Sequence, residues 1–90
     1  VKFHRIVTHD RDIVLLNPIA AMPSVDRNGN WHLSTDDLGM DVSKPTWDDC
    51  VVAYHEYFAF LWETYCESDD EFEGEEREIS DFLRSLAPII

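Results

Sequence analysis

The sequence predicts an α+β domain: a three-stranded antiparallel β-meander packed by one long α-helix, in the order β-β-β-α. Three observations carry this. Pro45 to Cys66 keeps a helical apolar period longer than any other stretch. Ile19 to Leu33 alternates with period two about an Asn28-Gly29 turn. A Leu38-Gly39 turn then leads into a third short alternation at Met40 and Val42. A short C-terminal helix and an N-terminal segment, read as an extra strand or a hairpin, complete the expected fold.

The long helix is defined first by its start. Thr46 stands where an N-cap belongs, Asp49 follows three residues later, and Pro45 stops the helix from beginning earlier. Stepping by 100° per residue places Trp47, Cys50, Val51, Tyr54, Tyr57, Phe58, Leu61, Trp62 and Tyr65 on one arc. Asp49, Glu56 and Glu63 take the other side. Val52, Ala59 and Phe60 form a second apolar strip between these acids, and with an edge strand nearby that strip hints at self-association.

For the central hairpin, a two-residue Asn28-Gly29 loop would put Trp31 and Leu33 on the face of Ser24 and Asp26. A three-residue loop, Arg27-Asn28-Gly29, with Gly29 left-handed and Asp26 opposite Asn30, instead pairs Val25 with Trp31 and Pro23 with Leu33. Ile19, Ala21, Pro23, Val25, Trp31 and Leu33 then share one face. Trp31, Leu33, Met40 and Val42 supply the floor for the helix. Pro23 cannot donate to a ladder, which marks its strand as an edge.

Upstream, Lys2 to Val7 and Ile13 to Leu16 are β-branched apolar runs around a turn-like Thr-His-Asp-Arg-Asp, and composition does not choose between a hairpin and one bent strand. Downstream, Glu67 to Glu78 holds eight acids and one arginine. Such a run reads first as a solvated linker and second as a contact for a basic partner. Ile79, Phe82, Leu83 and Leu86 then resume helical spacing, and Pro88 ends it. The expectation is a single domain over residues 1–90: an N-terminal strand segment 1–18, a core 19–66, an acidic linker 67–78, and a helix and tail 79–90.

Ninety residues support one small core. Nineteen acids against seven bases give a net charge of −12, which argues against a direct nucleic-acid ligand and for a cationic partner. Cys50 and Cys66 lie sixteen positions apart on one predicted helix, roughly 24 Å, too far for a bridge. With no signal-peptide pattern and no apolar run of about 20 residues, the expected setting is the cytoplasm, away from any membrane.

The search for chemistry gives little. His4, His9, His32, His55 and the two cysteines show no CxxC, HxH or HExxH spacing, so neither a metal nor a cofactor is expected. Asp36 and Asp37 suit a metal-dependent hydrolase with His32, but turn usage accounts for them more cheaply. No nucleophile and base can be paired, and the chain is read as no enzyme, with no catalytic residue.

The stretch Asp26 to Tyr65 resembles the HicB-like antitoxin domain. The likeness covers about Ile19 to Cys66. It rests on Asn28-Gly29 at the hairpin, Trp31 in the strand, Leu38-Gly39 at the turn, and Thr46-Trp47-Asp48-Asp49 at the helix start, with Cys50 where that family prefers alanine. Lys44 and Pro45 depart from it, replacing a glycine and an acid. The resemblance implies a β-β-β-α unit that neutralises a small basic RNA-cleaving toxin by protein contact. Family members often add a DNA-binding segment, for which residues 79–86 are too short and not basic. The reading is therefore an antitoxin or its solitary relative, with self-association as a homodimer or higher oligomer, and with an acidic DNA mimic as the alternative. Expected partner-binding residues are Val52, Glu56, Ala59, Phe60, Glu63, Asp69, Asp70 and Glu71.

Overall fold

The computed structural model describes residues 1–67 and 71–86. It shows β1 (Lys2–Val7), β2 (Asp12–Ala20), β3 (Met22–Val25), β4 (Trp31–Thr35), a 3₁₀ turn (Asp36–Leu38), β5 (Met40–Lys44), α1 (Trp47–Tyr65) and α2 (Glu75–Leu86). The class is α+β, with a three-stranded antiparallel sheet β3-β4-β5 beside an antiparallel pair β1-β2. The N-terminal segment is thus the hairpin. No helix among the described residues is long and apolar enough to cross a membrane.

The β3-β4 hairpin has the predicted register, with Val25 opposite Trp31 and Pro23 opposite Leu33. Its turn closes through Asp26 N–H to Asn30 O at 3.0 Å and Gly29 N–H to Asp26 O at 3.1 Å, and Gly29 has φ +83°, which suits a residue without Cβ. Asp26 Oδ1 also accepts from the backbone N–H of Asn28 and of Asn30. At the next turn Gly39 has φ +62°.

The two sheets share one run of chain, interrupted only at Ala21. Val1 and Ala21 exchange two backbone hydrogen bonds of 2.8 Å on the β1 side. Ala20, whose backbone points to the opposite edge, gives its carbonyl to Thr35 Oγ1 at 2.9 Å on the β4 side. The chain passes from one partner strand to the other within two residues. Ile19 and Ala20 consequently pair with Phe3 and Lys2, so the boundary expected between 18 and 19 falls inside β2.

Both helices cover one face. Ile6, Ile13, Leu15, Ile19, Ala21, Leu33, Met40 and Val42 from the strands join Cys50, Tyr54, Phe58, Leu61, Trp62, Leu83 and Leu86 in one core. Thr46 Oγ1 accepts from Asp49 N–H at 3.2 Å, so the predicted cap sets the start of α1. Trp47 meets Trp31 edge-on at 5.1 Å between ring centroids. The thiol of Cys50 lies against the carbonyls of Trp31 and Val42, and both cysteines are free, buried, and shifted upward in pKa by that burial.

Three expectations about burial are corrected. Pro23 and Val25 are exposed although they share the inward register, because α1 lies mainly over β5 and β4. Tyr57, placed on the buried arc, is 43% exposed. Ala59, placed on the exposed strip, is buried at 6%. A fourth correction concerns the linker: α2 begins at Glu75, taking Glu75 to Glu78 out of it. Gly74, at φ +65°, gives its carbonyl to Glu78 N–H, and Glu75, Glu76 and Glu78 lie in the first turn. Acids there gain from the helix dipole, which offsets their mutual repulsion. Pro88, the expected stop, lies outside the described residues.

Candidate binding cleft beside the long helix

The turn between β1 and β2 lies against the C-terminal half of α1. Arg11 fixes it there, its Nε donating to Glu63 Oε1 at 2.7 Å and its Nη2 to Glu67 Oε2 at 2.7 Å, with Nη1 on the other Glu67 oxygen. The bidentate contact with Arg11 holds the Glu67 carboxyl below its usual pKa. Thr8 N–H closes the turn on Arg11 O at 2.8 Å, and Thr8 Oγ1 donates to Asp10 Oδ1 at 2.9 Å, which lowers the pKa of Asp10.

Between turn and helix lies an open cleft of about 290 Å³. Thr8, His9, Asp10 and Arg11 form one wall, and Glu56, Ala59, Phe60 and Glu63 the other. Ala59 is therefore floor rather than open surface. Phe60 is 62% exposed at the rim. Of the lining carboxylates, Glu63 is bonded to Arg11 and Asp10 to Thr8, while Glu56 has no hydrogen-bond partner among the described residues. That combination suits a guanidinium or ammonium group whose aliphatic stem lies on an aromatic ring.

Of the expected partner-binding residues, Glu56, Ala59, Phe60 and Glu63 meet at this cleft. Val52 is 55% exposed on the same helix but outside it. Glu71 lies elsewhere, in a second depression of about 480 Å³ with Phe72, Glu73, Arg77, Ser80, Asp81 and Arg84. Asp69 and Asp70 lie outside the described residues. Sequence reasoning missed Thr8, Asp10 and Arg11; the signal that finds them is the hairpin, because only a hairpin returns the Thr8-Arg11 turn to α1.

Two histidines have settled roles. His55 Nδ1 accepts from Val7 N–H at 3.0 Å, tying β1 to α1, while its Nε2 is buried without a partner. Burial lowers its pKa, and with Nδ1 occupied as an acceptor the neutral ring carries its proton on Nε2. On the outer sheet face His32 Nε2 lies 2.8 Å from Asp26 Oδ2, and Nδ1 lies 3.3 Å from Asp41 Oδ1. These carboxylates, Asp26 foremost, raise its pKa. Ser43 Oγ is 3.4 Å from the same Nε2, but that nitrogen is already engaged by Asp26 at 2.8 Å. Asp36 and Asp37 are exposed at the 3₁₀ turn, and among the described residues no three of His, Cys, Asp and Glu form a group suited to a metal ion.

Comparison with protein-family models, with curated proteins and with solved structures found no match.

Proposed function

We propose that this chain is a non-catalytic binding protein of the cytoplasm, a HicB-like antitoxin or solitary relative that neutralises a small basic RNA-cleaving protein by direct contact. The observation that carries the reading is the cleft of Asp10, Glu56 and Glu63 with Phe60 at its rim. A basic side chain entering it exchanges water for Glu56, the remaining oxygens of Asp10 and Glu63, and an aromatic surface, an anchor of the kind that dominates protein interfaces. The net charge of −12 would speed the encounter at low salt. The order of hairpin, third strand and capped helix agrees with the resemblance, and fold alone does not fix function.

The test is co-expression with the adjacent reading frame, followed by purification at low salt. The expected result is a small basic protein that co-purifies, is released as salt rises, and no longer binds Phe60→Asp or Glu56→Lys. If the neighbouring frame encodes no such protein and nothing basic co-purifies, the antitoxin reading is abandoned.

A further inference from the structure

The outward face of the β1-β2 hairpin is unlike the rest of the outer sheet surface. Along β2 and into β3, every second residue points away from the helices: Val14, Leu16, Pro18, Ala20 and Met22. Val14 is 68%, Leu16 71% and Met22 73% exposed. The row runs through the register shift between Val14 and Ile19 and spans at most about 26 Å at roughly 3.3 Å per residue. On the three-stranded sheet beside it, the outward residues of β4 and β5 are His32, Ser34, Asp41 and Ser43, an ordinary solvated set.

We propose that this row is a self-association face, on which a second copy of the chain packs sheet against sheet. Electrostatics select the occupant. On this face Lys2 stands opposite Ala20 and Arg5 opposite Val14, with Asp12 bound to Arg5. Two cations against one acid make the hairpin face locally positive in a chain of net charge −12. Two such chains repel almost everywhere else, and least here. The row is also self-complementary: a two-fold axis through Pro18 sets Leu16 against the partner's Ala20 and Val14 against the partner's Met22, large against small at the centre. A basic toxin-like partner is disfavoured on this face by Lys2 and Arg5, so it and the acidic cleft need not compete. An anionic lipid surface would meet the same apolar row and cations, but the remaining charge of the chain opposes its approach.

The patch covers on the order of 500 Å² per chain, which places the association among weak, reversible interfaces. Sedimentation equilibrium over a concentration series up to the millimolar range is the test, with Leu16→Glu and Val14→Glu combined as the disrupting variant. The expected result is a wild-type mass rising from 10.5 kDa towards twice that value. The variant stays at the single-chain mass, and its circular dichroism matches that of dilute wild type because both side chains point outward. A wild-type chain that stays monomeric throughout overturns the proposal, as does a folded variant that still dimerises. Monomeric wild type that co-sediments with phosphatidylserine vesicles overturns it in favour of a lipid surface.

Discussion

The outer sheet face has two halves built on opposite principles. On β4 and β5, His32 sits between Asp26 and Asp41, so polar groups facing water also bond to one another. On β2, Val14 and Leu16 face outward with no polar group of their own. Both halves are antiparallel, but the β1-β2 ladder carries a register shift between Phe3 and Arg5 where the β4-β5 ladder is regular. The outward side chains differ more than the pairing does, and this teaches that the polar half is finished as a surface while the apolar half still has area to bury.

The halves join where Thr35, Tyr54 and Ala20 meet. Thr35 Oγ1 donates to Ala20 O, so at 2.6 Å the Tyr54 hydroxyl must donate to Thr35. Tyr54 is fully buried, and burial raises its pKa. Thr35→Val strands both the hydroxyl and the carbonyl, and a loss of about 2–4 kcal/mol in urea unfolding is expected. This is the largest effect of any substitution named here. Tyr54→Phe leaves Thr35 bonded to Ala20, so the loss falls to about 1 kcal/mol. Equal losses for the two would break the assigned donor order.

Much of this was legible in the sequence, but unevenly. The β3-β4 register followed from turn chemistry and alternation, both written within a dozen residues around Gly29. The start of α1 was equally local, carried by Pro45, Thr46 and Asp49. What could not be read depended on distant partners. Arg11 bonds residues 52 and 56 positions away, and that contact places the turn that buries Ala59. The start of α2 within an acidic run also escaped, because repulsion among Glu75, Glu76 and Glu78 was weighed without the helix dipole they face. The candidate cleft was therefore half visible, through its α1 wall only.

Acid titration separates the polar half from the core contact behind it. His32 has its pKa raised from 6.5, so its contribution is complete below that value and is lost as pH rises through the folded-state pKa. Asp26, lowered from 3.8 chiefly by His32, contributes above that value and loses its contribution as pH falls through the lowered one. His55 acts oppositely to His32: its pKa is lowered from 6.5, so protonation favours the unfolded chain and stability falls as pH drops below 6.5. In His55→Gln, whose amide oxygen can still accept from Val7 N–H, this acid-side loss should vanish from urea midpoints measured across that range. In His32→Asn the stability lost on raising pH through the His32 titration should vanish instead. A His55→Gln profile identical to wild type would remove the role assigned to the buried ring.

The smallest effect is expected on the apolar half. Leu16→Thr keeps a β-forming side chain at an exposed site, so the unfolding free energy of the dilute chain should change by less than about 0.5 kcal/mol. A larger loss would mean that Leu16 is covered within its own chain.

The most direct measurement is a dilution series of ¹⁵N-¹H spectra. If the two halves differ as described, raising the concentration shifts the amides of Val14, Leu16, Ala20 and Met22 while those of His32, Ser34 and Ser43 stay in place. Shifts confined to the β4-β5 half or to the Val52-Phe60 side of α1, or no shifts at any concentration, would contradict the account.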